Sequence, residues 1–241
     1  MAEPTTRVLY MSGTLPVRSE TFVYREILAL RKLGIDIHTA SVHAPTRGLD
    51  NGGVLDQMAD DTIQIYSKGT PSLLKDAALE VLTHPIRSIR TMTRCKLDAF
   101  FSDEVPLARK PKVIWQGIAA LALARRVRRL GITHIHAHMA HVPTTIAMYA
   151  AKQLGIPFSF TGHANDLFPN RTLLREKLQR ALWVNCISQW HLAFYQSIVS
   201  RPDEEYPIVR CGVDTNTYEA TPAPRQDRLE VLSVGRLVEK K

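Results

Sequence analysis

The stretch that decides the fold runs from Gly131 to His163, GITHIHAHMAHVPTTIAMYAAKQLGIPFSFTGH. Ile132 to His138 predicts a strand, Pro143 to Leu154 a helix closed by Gly155, and Ile156 to Thr161 a second strand. A strand, a helix and another strand in this order form a βαβ unit. Such units build a parallel sheet whose two faces are both covered by helices.

The same alternation extends outward in both directions. Val8 to Met11 is a short apolar strand stopped by Ser12-Gly13. Ser19 is placed to cap a helix beginning near Glu20, with Val23, Ile27 and Leu30 on its buried face and Gly34 at its end. Ile35, Ile37 and Thr39 then alternate as a second strand. From His43 to Gly69 the sequence predicts loop, with one short strand at Ile63 to Tyr66. Helices at Ser72–Thr83 and Pro85–Phe101 interrupt the alternation and read as an inserted helical patch, within about residues 70–130. Pro111 opens a long helix reaching Leu130, with Gly131 as its stop. Beyond Thr161 follow a helix at Leu173–Ala181, a strand at Leu182–Ile187, a helix at Gln189–Val199 and a strand at Ile208–Arg210. The expected fold is α/β, a doubly wound, Rossmann-like parallel sheet occupying residues 1–218. Residues 219–228, with Pro222 and Pro224, read as a linker, and residues 229–241 as the first strand of a second domain whose remainder is missing.

Composition narrows the function classes. Cys95, Cys186 and Cys211 have no paired spacing, which argues against a disulfide framework and a thiolate zinc site. The N-terminus lacks the apolar core of a signal peptide, and no apolar run approaches bilayer-spanning length, so a reduced cytosolic protein is expected. The net charge of +8 is concentrated in Arg109, Lys110 and Lys112 and in Arg125, Arg126, Arg128 and Arg129. These clusters suit an anionic membrane surface or phosphorylated substrates, and equally a solvated helix face. No nucleic-acid-binding motif is present, so no nucleic-acid partner is expected.

In an open parallel sheet, ligands bind at the carboxyl ends of the strands. Gly13 follows the first strand, and Ser19, Glu20 and Thr21 begin the next helix, where free amides and a glycine allow a phosphate to approach. The pattern is neither Gly-x-Gly-x-x-Gly nor a P-loop, and the same residues suit a plain tight turn. Period two places His134, His136 and His138 on one face, with His141 just beyond. Three imidazoles suit zinc and a metallohydrolase, but no carboxylate lies between His134 and His141. A buried strand would also leave only its tip, His138, in the cleft, so no metal is expected. His163 sits just past a strand end with Asp166 three residues on, a pairing able to orient a sugar hydroxyl or handle a proton. A loop histidine bonded to backbone fits the same spacing. There is no Gly-x-Ser-x-Gly elbow and no Asp-x-Asp. Near the end of the chain, Arg236 and Lys241 offer cations suited to a diphosphate.

Taken in order, five pieces of the chain resemble the family 4 retaining glycosyltransferases of the bacterial exopolysaccharide and colanic-acid type. They are residues 19–27 (SETFVYREI), 134–138 (HIHAH), 156–166 (IPFSFTGHAND), 209–214 (VRCGVD) and 234–241 (VGRLVEKK). The resemblance implies a GT-B fold, in which two Rossmann-like domains face across a cleft. The first holds the acceptor and the second a nucleotide-sugar donor. His163 would match the active-site histidine beside the transferred sugar, and Gly13 the loop glycine beside the donor diphosphate. Arg236 and Lys241 would neutralise that diphosphate as it leaves, so neither metal nor cofactor is implied. The implied reaction is sugar transfer to a saccharide or lipid-linked acceptor, in the cytoplasm or peripherally on the inner face of the membrane. The family's two glutamates eight positions apart have no counterpart here, so these 241 residues are expected to be an incomplete, inactive portion of such an enzyme. A non-catalytic saccharide- or partner-binding domain, and a histidine-rich metallohydrolase, remain as alternatives.

Overall fold

The structure, a computed structural model, describes residues 6–163, 167, 171–212, 215 and 231. The chain divides into two units, residues 1–211 and 212–241. The expected linker and final strand, at residues 219–241, lie outside the described residues apart from Val231.

Six parallel strands form one sheet: β1 (Arg7–Ser12), β2 (Asp36–Ser41), β3 (Ile63–Gln64), β4 (His134–His138), β5 (Phe158–Thr161) and β6 (Val184–Asn185). Their order is β3-β2-β1-β4-β5-β6, a doubly wound Rossmann-like arrangement flanked by helices. In sequence order the helices are α1 (Thr21–Lys32), α2 (Val54–Asp61), α3 (Gly69–Thr83), α4 (Pro85–Phe101), α5 (Lys110–Val127), α6 (Val142–Leu154), α7 (Leu174–Arg180) and α8 (Gln189–Ile198).

The two faces of the sheet differ in chemistry. Leu9, Met11, Ile135, Ala137, Phe158 and Phe160 point to one side and form an apolar core with α5 and α6. On the other side Tyr10 and Ile37 pack with Val23 and Ile27 of α1 and Met58 of α2. That second face continues across β4, β5 and β6 as His134, His136, His138, Ser159, Thr161 and Asn185, all buried. The register aligns them, with Tyr10 opposite His136, His136 opposite Ser159 and His138 opposite Thr161.

Two local expectations need correction. Ser19 does not cap α1: the helix starts at Thr21, Glu20 takes the N-cap position, and no side chain caps it. Residues 43–69 are not all loop apart from a strand, because α2 forms there. Its first amides are met by Asp50, which accepts from Leu55 N at 2.7 Å and Asp56 N at 3.1 Å. Asp56 in turn folds back onto the amides of Gly48 and Gly52. Acidic caps this far from the apolar residues were hidden among the glycines. By contrast the expected stops hold: Gly34, Gly131 and Gly155 all take left-handed φ values of 65–85°.

Helices α3, α4 and α5 enclose a polar interior. Gln153 of α6 donates to Glu80 at 2.8 Å and to Ser88 at 3.1 Å, and accepts from Thr91 at 3.0 Å. Arg128 pairs with the buried Glu80. Arg126 donates to Asp76 at 2.7 Å and to the carbonyls of Gln64 and Ile65. Half of the second basic cluster is therefore bound internally and does not form a free patch. Asp98 accepts from Arg180 at 2.6 and 2.8 Å and from Tyr149 at 2.9 Å, and it is almost fully buried. Asp98→Ala leaves a guanidinium and a phenol without their acceptor, so it should lower stability by about 3 kcal/mol in urea titrations. Asp98→Asn should recover part of that loss.

Candidate active site at the carboxyl edge of the sheet

The chain leaves β1 towards β2 and β4 towards β5, in opposite directions, so a crevice opens at the carboxyl ends of β1 and β4. Gly13 leaves β1 on this edge. Nothing lies within 4 Å of where its Cβ would sit, and its carbonyl accepts from His43 N at 2.9 Å. Thr21 opens α1, Ser19 is exposed, and Glu20 accepts from Ser12 Oγ at 3.4 Å. His138 ends β4, and His163 follows β5 with its ring partly exposed.

His138 and His163 meet. His138 Nδ1 lies 3.4 Å from His163 Nε2, with the rings stacked at 5.7 Å. Phe22 of α1 covers His163 at a centroid distance of 4.5 Å. From the same helix Glu26 reaches His138, with Oε2 3.6 Å from Nε2, and accepts from Tyr10 Oη at 2.8 Å. Deeper along β4, Ser159 Oγ bridges His134 Nε2 at 2.6 Å and His136 Nδ1 at 2.7 Å. His136 Nε2 meets Thr161 Oγ1 at 3.1 Å.

Burial fixes the charge states. It pushes His134 down to about 4, and it pushes His136 down to about 3 with help from the neighbouring His138 charge. His163 falls to about 3, by burial and the charges of His138 and His191 against the opposing pull of Glu26. These rings are neutral imidazoles near pH 7. Burial alone would raise Glu26, but the close approach of His138 Nε2 and the hydrogen bond from the Tyr10 hydroxyl bring it down to about 2. Tyr10 moves up, by burial and the adjacent carboxylate.

Glu26, His136 and His138 bring potential metal-ligand atoms within 4.8 Å of one another. Both His136 nitrogens already meet hydroxyl groups, so an ion bound through either one would displace a buried hydrogen bond. The grouping fits a hydrogen-bonded core better than a metal centre.

Two features hold the crevice loops. Lys177, fully buried, donates to the carbonyls of Ala140 at 2.7 Å, His141 at 3.2 Å and Thr172 at 2.7 Å. Met139, immediately after β4, has a φ of 72°, an uncommon conformation for a residue with a side chain, and donates to Thr161 O at 3.0 Å. A cavity of about 350 Å³ lies away from all of this, at the amino end of β5, and holds none of the candidate residues.

Of the residues expected from sequence, Gly13, Ser19, Glu20, Thr21, His138 and His163 thus fall on the carboxyl edge. Asp166, Arg236 and Lys241 lie outside the described residues. Sequence reasoning missed Tyr10, Phe22, Glu26 and Lys177 as contributors. Phe22 and Glu26 are four apart on α1 and so share a face, which was the available signal. No carboxylate lies within residues 134–141, and the one that reaches the histidines, Glu26, arrives from a different element.

A parallel doubly wound sheet with a crevice at its switch point defines a Rossmann-like domain. The model of the family described as Glycosyltransferase Family 4 matches residues 19–217, and the chain belongs to that family. No curated protein matches the chain.

Two outcomes are expected from this geometry. A Cβ at Gly162 would run into Tyr195 Oη, far inside contact distance, so Gly162→Ala should destabilise the β5 exit by about 2 kcal/mol or more. Adding Tyr195→Phe should recover part of the loss in thermal unfolding. The second concerns pH. Below about pH 6.5 the unfolded chain protonates its histidines, whereas folded His134, His136 and His163 stay neutral down to about 4, 3 and 3. Unfolding then takes up protons, so stability should fall as pH drops from 6.5 towards 4, by up to roughly 1.4 kcal/mol per pH unit for each fully buried ring. Glu26, at about 2 when folded, adds to the loss only below its ordinary range near 4.5. Urea titrations of His136→Asn should show a shallower slope between pH 6.5 and 5 than the parent.

Proposed function

We propose that this chain forms the acceptor-side part of a retaining glycosyltransferase, moving a sugar from a nucleotide-sugar to a saccharide or lipid-linked acceptor in bacterial polysaccharide assembly. In this reading it works without a metal ion, on the cytoplasmic side of the membrane. Among the described residues no helix is long and apolar enough to cross a bilayer, so such a protein would meet the membrane from its surface.

The observation that carries the reading is the line Glu26–His138–His163. A carboxylate 3.6 Å from His138 Nε2 favours a proton on that nitrogen, which leaves Nδ1 as an acceptor. His163 Nε2, 3.4 Å away, then donates to it, and His163 keeps Nδ1 as its acceptor side. A neutral imidazole in this tautomer, on the rim of the crevice, suits a sugar hydroxyl that donates a hydrogen bond. It adds no positive charge beside the anomeric carbon. In transfer, the bond from that carbon to the diphosphate breaks as one forms to the acceptor oxygen. Negative charge collects on the diphosphate, where the open backbone at Gly13 and the cations Arg236 and Lys241 are the groups assigned to it. Asp166 is assigned to the acceptor side of the same reaction.

With the full-length protein and a panel of nucleotide-sugars, His163→Ala should slow sugar transfer by roughly 10²–10⁴-fold while the melting temperature stays close to that of the parent. Gly13→Ala meets open space, so it should fold normally and still lose turnover. Unchanged turnover in His163→Ala would reject the role given to His163. Saccharide binding with no transfer or donor hydrolysis by the parent would favour a non-catalytic binding domain.

A further inference from the structure

Helix α4 is built inside out. Its buried positions include Ser88, Thr91 and Asp98, while Ile86 (66% exposed), Ile89 (64%), Phe100 (54%) and Phe101 (81%) face outward, with Leu97 between them. An ordinary surface helix of a water-soluble domain does the reverse. The inward polar residues are all satisfied: Ser88 and Thr91 by Gln153, Asp98 by Arg180 and Tyr149. The inversion is therefore a stable arrangement, and the outward apolar stripe stays exposed, with Lys110 over the Phe100 ring at 5.1 Å.

The stripe also has a defined electrostatic frame. At 100° per residue, the five apolar side chains fall within an arc of about 120°. Arg90 lies inside that arc, Arg87 borders one side together with Arg94, which is paired with Asp98 at 3.1 Å, and Lys96 borders the other. The helix carries a single acidic residue, Asp98, and it is buried. Leu82 at the end of α3 and Leu107 shortly after α4 are exposed as well. On the Arg94 flank, the cavity of about 350 Å³ adds Lys152 beside apolar walls that include Ile156 and Phe158, while Arg180 there is held by Asp98.

We propose that the outward face of α4 docks the protein on an anionic lipid bilayer, the apolar stripe entering the acyl boundary and the basic flanks meeting phosphate headgroups. A stripe of large apolar side chains edged by cations, on a helix too short to span, is the pattern of an interfacial helix. A second copy of this chain is the poorer occupant, because facing α4 helices would bring arginines against arginines. The inference rests on the proposed function only for its purpose, delivery of the crevice to a lipid-borne acceptor. Binding itself requires neither donor nor acceptor, so the two readings fail separately.

The test is co-sedimentation of the full chain with phosphatidylcholine vesicles, with and without phosphatidylglycerol. Binding should require phosphatidylglycerol and weaken with salt. Ile89→Ser with Phe101→Ser should lower vesicle affinity by roughly tenfold or more. Arg90→Gln with Lys96→Gln should lower it by about fivefold per cation removed at low salt. These positions are exposed, so circular dichroism and thermal unfolding should match the parent. Phe101→Trp should show a blue-shifted emission on phosphatidylglycerol vesicles. The proposal is overturned by equal binding to both vesicle types, or by parental affinity in the apolar double variant. It is also overturned if that variant's only change is from dimer to monomer in sedimentation. An unshifted emission from the vesicle-bound Phe101→Trp variant would reject insertion of the stripe.

Discussion

The crevice depends on one register, that of β4 against β5. With His136 opposite Ser159 and His138 opposite Thr161, His134 meets the Ser159 hydroxyl and His136 meets those of Ser159 and Thr161. Ser159 has one proton and two neighbouring rings, so it donates to one of His134 and His136 and accepts from the other. That division works only while both rings are neutral, which is the state burial imposes. A slip of one residue would either turn the β4 histidines into the apolar core beside α6 or bring Phe158 and Phe160 of β5 to the polar face. The buried polar ladder therefore fixes where the strands end. The strand ends in turn place His138 and His163 within reach of each other.

Glu26 is the counterweight to this neutral ladder. Its carboxylate is half-buried, yet it stays ionised because Tyr10 donates a hydrogen bond to it and His138 Nε2 lies 3.6 Å away. One charge at one end of a chain of rings sets their proton positions without itself reaching the crevice rim. Lys177 does the equivalent work for the backbone, tying the loop after β4 to the segment before α7 through three carbonyls. Rigid loops and a defined tautomer are what a histidine needs to hold one sugar hydroxyl in preference to water.

Much of this was legible in the sequence because it is periodic. The alternation of strands and helices from Val8 to Ile198, the glycine stops and the single face of His134, His136 and His138 all follow from local pattern. Helix α2 was not legible, since its caps are side chains set among glycines that read as loop. Glu26 and Lys177 escaped because their roles come from contacts far along the chain, to His138 and to Ala140, which no local pattern encodes. The inverted polarity of α4 was hidden for the opposite reason. Its apolar content reads as core in sequence, and only packing reveals which side faces inward.

The net charge of +8 takes a different meaning once the partners are known. Several cations donate to backbone carbonyls: Lys177 to three of them, Arg31 to that of Ile37 and Arg87 to that of Leu154. A carbonyl accepts the hydrogen bond but brings no negative charge, so every such pairing leaves the chain one unit more positive. A large part of the excess thus comes from how loops and helix ends are tied down. Binding signal is better sought where cations border exposed apolar side chains, and among the described helices α4 is where that combination occurs.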